Sequence, residues 1–302
     1  MKRVRLIDNG GLMVGKIFDD YAMMPPHIFL ATFLPQDVSY CWVPPAEPAD
    51  ICCYGISLKD DSILRDNELN VFVSVENFGR WASQDNNEIG WVNPHYYFYH
   101  KYKHFGSKKT DIYIHNDKSD AFQTPLYKCI PTVHCRISYF NRMQEYYKNI
   151  PKPPFEKKKF ILFISKNTMN SNKQRLRERL VKMGLPVDHI SQYNHILKHT
   201  SCYHSKELLT VFSQYKFIAA FENSHTNGYI TEKIFNVFFA GAIPIYDGAP
   251  DIARFINPKA FLSLEPMIAK KLQIIANSKA VYEKIVQTDK IQKEYKNVEI
   301  EF

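Results

Sequence analysis

The sequence predicts an α/β protein of two Rossmann-like domains, and three observations predict it. Short runs rich in β-branched and aromatic residues alternate with helical stretches, the pattern of parallel sheets flanked by helices. The segment PKPPFEKKK (151–159) interrupts both periods. The alternation then restarts, and 302 residues suffice for two domains of ordinary size. The expected domains are 1–150 and 151–302.

In the first half the expected strands are VRLID (4–8), HIFLATF (27–33), VSYCWV (38–43), DICCYG (50–55), VFVSVE (71–76) and DIYIH (111–115). Each is short, apolar or β-branched, and bounded by turn residues. CRISYFNRMQEYYKNI (135–150) reads as a helix ending at the proline break. In the second half FILFIS (160–165) reads as a buried strand. NSNKQRLRERLVKMG (170–184) and SKELLTVFSQY (205–215) read as helices. The tail from about Glu265 contains AKKLQIIANSKAVYEKIV, an amphipathic stretch of mixed charge. Packing back on the body is its first reading, and docking to an anionic membrane surface its second.

Composition narrows the class. A hydrophobic fraction of 45% and an aromatic fraction of 14% describe a folded protein. Lysine and arginine number 39 against 31 acids, a net charge of +8. That excess suits an anionic small molecule, but it is diffuse and no nucleic-acid recognition motif accompanies it. The six cysteines form no Cys-x-x-Cys pair and no zinc spacing with histidine. Cys52 and Cys53, adjacent on one expected strand, read as core thiols, a usage that fits a reducing compartment. MKRVRLIDNG reads as a first strand, without the apolar run of a signal peptide or membrane anchor.

Residues 215–261, YKFIAAFENSHTNGYITEKIFNVFFAGAIPIYDGAPDIARFINPKAF, carry the most information. They parse as strand, polar loop, helix, strand and loop. The helix is expected from Tyr229 to Ala240, with Gly241 as its stop. Tyr229, Lys233 and Asn236 then share one face. Glu232 and Lys233 fall in its first turn, where unpaired N–H groups and the positive end of the macrodipole suit a phosphate or pyrophosphate.

Phe221-Glu222-Asn223-Ser224, then Tyr229-Ile230-Thr231-Glu232-Lys233, then Gly241-Ala242 and Pro244 closely resemble the signature of the α1,3-fucosyltransferase family. The resemblance runs over roughly residues 70–285, more strongly in the second half. It implies the GT-B architecture: an acceptor-binding domain (1–150), a GDP-fucose-binding domain (151–302) with the amphipathic tail, and a catalytic cleft between them. It implies inverting transfer of L-fucose from GDP-fucose to the 3-hydroxyl of an N-acetylglucosamine or glucose unit in a glycan. Many animal and plant members carry an anchor and late luminal cysteines. This sequence shows neither and looks like a cytoplasmic member of bacterial or viral type.

Such a transfer needs a base for the acceptor hydroxyl, positive charge for the departing diphosphate, and a correctly held donor. The chain contains no Asp-x-Asp element. The charge is therefore expected from side chains and helix N-termini, with no cofactor and no metal. By the resemblance, Lys233 contacts the donor phosphates, Glu232 holds the donor sugars, and Asn223 and Tyr229 are donor-site residues. The family's arginine after the strand FILFIS aligns with Lys173, while Arg175 lies two residues on. Lysine and arginine bind phosphate differently, so both stay as candidates. VFVSVENFGR places Glu76 at the carboxyl end of a strand, where open α/β sheets bind ligands. The family has Gly-Glu-Asn there, and its glutamate is the proposed general base. Val75 stands in the glycine's place, while TDIYIHND (110–117) and TPLY (124–127) match the landmarks that follow. The competing readings are a GT-B transferase with another nucleotide sugar, an inactive nucleotide- or carbohydrate-binding relative, and a basic nucleic-acid-binding protein. Glu76, Glu232 and Lys233 favour the enzyme.

Overall fold

The computed structural model describes residues 1–7, 26–54, 64–73, 111–115, 128–164, 171–190, 205–223 and 225–302. They fall into two compact units. The first is Met1–Tyr139 with Thr226–Tyr229 and Asn297–Phe302. The second is Phe140–His225 with Ile230–Lys296.

The first unit holds a six-stranded parallel sheet: β1 (Lys2–Ile7), β2 (Tyr40–Val43), β3 (Ile51–Tyr54), β4 (Leu69–Val73), β5 (Ile112–His115) and β6 (Lys128–Pro131). Their order is β2-β1-β3-β4-β5-β6. Cys52 and Cys53 are both fully buried although they point to opposite faces, because a parallel sheet is covered on both sides. Burial pushes the Cys52 thiol up to about 12. At the amino ends of the strands, Arg5 Nε donates to Glu68 at 2.7 Å, with both side chains fully buried. The remaining Glu68 oxygen accepts from Ala49 N–H at 3.0 Å and from Arg65 at 3.1 Å. Multiple hydrogen bonds to each ion are what make such a buried pair tolerable.

One expected strand is a helix. HIFLATF lies in α1 (Pro26–Phe33). A short continuous apolar run fits a buried strand or a buried helix equally well, and Pro26 at the first helical position favours the helix. The helix expected at 135–150 is α2 (Thr132–Tyr147), and the division between the two units falls inside it. The short strand β6 just before it carries no alternation from which to read it.

The second unit has a five-stranded parallel sheet: β7 (Lys159–Ile164), β8 (Val187–Ile190), β9 (Tyr215–Phe221), β10 (Ile243–Asp247) and β11 (Leu262–Ser263). The order is β11-β10-β9-β7-β8. The chain therefore starts mid-sheet at β7, steps outward to β8, and crosses back to β9. Between β7 and β9 lies a topological switch point, the place where doubly wound sheets bind ligands at their carboxyl ends. The helices are α3 (Ser171–Lys182), α4 (Lys206–Ser213), α5 (Glu232–Phe239), α6 (Ile252–Phe255), α7 (Ile268–Ala276) and α8 (Lys279–Gln287). The tail is thus two helices, with Ser278 capping the second through Val281 N–H at 3.4 Å. Its apolar side belongs to the unit's core: Leu272, Ile275 and Tyr282 pack with Ile161, Phe217 and Ile245. Among the described residues no helix is long and apolar enough to cross a membrane.

Two helices stop at a glycine for the same reason. Gly241 has φ +65° and Gly184 φ +70°. Ala242 N–H reaches Val237 O at 3.2 Å and Gly241 N–H reaches Phe238 O at 3.0 Å. Leu185 and Gly184 repeat the pair on Leu180 O and Val181 O. Both are Schellman motifs, whose left-handed residue favours glycine.

Candidate donor site at the switch point

The site starts from the end of β9. Glu222, which follows Phe221, is 1% exposed. A buried carboxylate must be paired, and this one is. Oε1 accepts from Thr231 N–H at 2.8 Å, and Oε2 accepts from Thr231 Oγ1 at 2.7 Å and Lys233 Nζ at 3.0 Å. Thr231 is the N-cap of α5 with extended backbone, so Glu222 is an in-chain anion at a helix N-terminus. Lys233 also donates to Thr231 Oγ1 at 2.9 Å and lies 3.6 Å from Glu232 Oε1.

Helix α5 begins at Glu232, not Tyr229, because Thr231 is extended, with φ −103° and ψ −173°, and serves as the N-cap. Tyr229 therefore lies ahead of the helix rather than on a shared face with Lys233. It is 2% exposed and belongs with residues 226–228 to the first unit. Glu232 and Lys233 do occupy the first turn. The far side of α5 is anchored by aromatic packing: Phe140 meets Phe235, Phe238 and Phe239 with centroids 5.5, 5.9 and 4.9 Å away.

The second cation comes from α3. Lys173 Nζ donates to the carbonyl of Ile164 at the carboxyl end of β7, and lies 6.0 Å from the Phe221 ring centroid. Its pKa is lowered to about 8, first by burial, then by the charge of Lys233, with Glu222 opposing. Lys173 and Lys233 thus converge on the switch point from two helices. Arg175 is exposed on the same helix and Asn223 is exposed at the end of β9; neither joins this hydrogen-bonded cluster. Glu76 lies outside the described residues.

Sequence reasoning reached Lys173, Glu232 and Lys233 but took Glu222 only as part of the Phe-Glu-Asn-Ser signature, with no role of its own. Its signal was available: an acid directly after the apolar run 217–221 and nine residues before the helix cap. Asp247, ending β10, was also passed over. It accepts from Asn172 Nδ2 at 3.1 Å and lies 2.7 Å from His225 Nε2.

The arrangement sets two ammonium groups and the first turn of α5 at the carboxyl ends of parallel strands, where such sheets bind ligands. Residues 154–297 match the family described as glycosyltransferase family 10 (fucosyltransferase), C-terminal part. An α-(1,3)-fucosyltransferase of Helicobacter pylori is 43% identical over 68 residues, 22% of this chain and 14% of that protein. GDP-fucose protein O-fucosyltransferase 3 of Bos taurus is 46% identical over 57 residues, 18% of this chain and 12% of that one. These matches span only a small part of either relative. A crystal structure of an α1,3-fucosyltransferase with GDP-fucose aligns over 95% of this chain and 81% of its own, with TM-score 0.55 and 19% identity. The fold is of the GT-B type, and residues 154–297 are similar to the C-terminal part of the family 10 fucosyltransferases.

Proposed function

We propose that this protein is an inverting glycosyltransferase that moves L-fucose from GDP-fucose to the 3-hydroxyl of an N-acetylglucosamine or glucose unit in a glycan. The observation that carries the reading is the convergence of Lys173 and Lys233 on the β7/β9 switch point, where Lys233 pairs with the buried Glu222. The relatives support the donor more than the acceptor. One is named for α1,3 transfer and another for protein O-fucosylation, yet both match over short stretches. The O-fucosyltransferase is named for GDP-fucose, and the solved α1,3-fucosyltransferase holds GDP-fucose.

In the proposed reaction the carboxylate of Glu76 takes the proton of the acceptor hydroxyl. The hydroxyl oxygen bonds to the anomeric carbon of fucose as the bond from that carbon to the diphosphate breaks. Lys173 and Lys233 stabilise the charge that develops on the departing GDP, and Glu232 accepts hydrogen bonds from donor hydroxyls. With no Asp-x-Asp element in the sequence, these lysines carry the charge that a metal ion supplies in other transferases. Turnover is therefore expected in EDTA.

The test is GDP release from GDP-fucose by the purified protein, with lactose, N-acetyllactosamine and its β1,3 isomer as acceptors. Acceptor-dependent release in EDTA is the expected result. Use of GDP-mannose or a UDP-sugar with GDP-fucose left intact overturns the donor assignment. Activity restored only by Mn²⁺ or Mg²⁺ overturns the lysine-only mechanism.

A further inference from the structure

Asp247 ends β10 beside the switch point, and both of its carboxylate oxygens are engaged. Oδ1 lies 2.7 Å from Nε2 of His225, and Oδ2 accepts from Nδ2 of Asn172 at 3.1 Å. Its carbonyl accepts from Glu222 N–H at 2.8 Å. One residue thus fastens three segments: the loop after β9 through His225, the head of α3 through Asn172, and the end of β9 through Glu222. Asn172 directly precedes Lys173, so the first of the two cations stands on a helix head pinned by Asp247.

The turn that carries Asp247 is itself fixed. A Cβ added to Gly248 would lie 2.5 Å from Cγ of Glu222 and 2.6 Å from the Tyr246 hydroxyl oxygen. That hydroxyl accepts from Ala249 N–H at 3.0 Å. Only a glycine lets the turn pack this closely on Glu222. The exposures differ in an informative way: the Asp247 side chain is 12% exposed, whereas that of His225 is 50% exposed. The carboxylate is held inside and the histidine reaches it from the loop. An aspartate beside a diphosphate repels it, less strongly when donors face its oxygens. Here His225 and Asn172 face the two oxygens.

We propose that Asp247 is a positioning residue of the donor site, a latch that ties the loop residue His225 to the head of α3 and so presets Lys173 for the diphosphate. The latch rests on the donor reading above, and its test separates the two. In the full chain, His225→Ala, Asn172→Ala and Asp247→Ala are each expected to weaken GDP binding by calorimetry about ten-fold, the scale of one charge-assisted hydrogen bond. The loss falls on the KM for GDP-fucose more than on kcat. The double variant His225→Ala/Asp247→Ala is no worse than Asp247→Ala alone, because the two residues act as one. His225→Gln, whose amide nitrogen takes the place of Nε2, regains most of the affinity. A purely structural role instead lowers the melting temperature and leaves GDP affinity unchanged. Wild-type affinity in all three single variants overturns the latch while the donor reading stands. Absence of GDP binding by the wild-type protein overturns the donor reading itself. If Asp247→Ala fails to fold, the two other variants, each altering a side chain that is not buried, decide the matter.

Discussion

At the scale of residues, the site is governed by two lysines near one buried carboxylate, Lys233 bonded to Glu222 and Lys173 within reach of its charge. Lys173 is protonated below about 8 and neutral above it. The neutral amine no longer neutralises a diphosphate, so GDP affinity should fall as pH rises from about 8. Bound GDP raises the pKa of Lys173, and the fall extends upward until that higher value is reached. Calorimetry from pH 7 to 9.5 checks this. Lys173→Arg should move the loss to higher pH, because a guanidinium stays charged. Glu222→Gln should shift it the other way. Glu222 is the charge that holds the pKa of Lys173 up, so without it Lys173 loses its proton earlier. Lys233→Ala should remove donor binding and turnover together, since it deprives both ground and transition states of a phosphate partner. Unchanged GDP affinity in that variant would remove Lys233 from the phosphate site. Of these residues Lys233 was legible from its place in a helix's first turn. Glu222 was not, because its partners lie across a loop and only the fold brings them to it.

At the scale of elements, helix ends in the second unit carry much of the specification. Gly241 and Gly184 end α5 and α3 in the same backbone conformation, but their surroundings differ. A Cβ at Gly184 meets nothing within 4 Å, whereas one at Gly241 comes within 3.1 Å of the Lys152 side chain. Gly184→Ala should therefore cost about 1 kcal/mol, the cost of the left-handed backbone alone. Gly241→Ala should cost as much or more, according to how far the flexible Lys152 chain gives way. Urea unfolding of the two variants gives the difference. Lys290 closes another end: it donates to the carbonyls of Ile285, Val286 and Thr288 at 3.2, 2.6 and 2.7 Å, at the C-terminus of α8. Lys290→Met should lose about 1–3 kcal/mol in the same assay, because it strands those acceptors. The glycine stop of α5 could be read from the sequence. The start of α5 could not, because residues 229–231 fit a first turn by sequence and only the fold shows Thr231 extended, beside its bonds to Glu222. HIFLATF was misread for a related reason: period and burial did not distinguish the two structures, and the local proline did.

At the scale of the whole molecule, the two sheets share one wiring, with the first strand placed between the second and the third. The candidate cluster of Glu222, Glu232, Lys233 and Lys173 is contained in the second unit. The proposed base, Glu76, follows β4 of the first unit. Binding and chemistry should therefore separate by mutation. Glu76→Gln keeps shape and hydrogen bonding but cannot take a proton. It should bind GDP-fucose as the wild type does and transfer about 10²–10⁴-fold more slowly. Near-native transfer at saturating substrates would move the base to another residue. The doubly wound class was legible from strand–helix alternation, because parallel strands buried on both faces read as continuous apolar runs. The switch point was not, since strand order depends on pairings between distant segments.

The pairing of lysines with glutamates has a consequence for how the donor arrives. Within the cluster the formal charges of Lys173 and Lys233 are matched by those of Glu222 and Glu232, and Asp247 adds a further carboxylate beside them. A site without net positive charge projects little attractive field beyond the screening length of about 8 Å at physiological ionic strength. It does not draw phosphate, sulfate or other small anions out of bulk solution, and recognition waits for contact. Capture of the nucleotide should then depend only weakly on added salt, with the net charge of +8 spread over the rest of the surface supplying what long-range attraction there is.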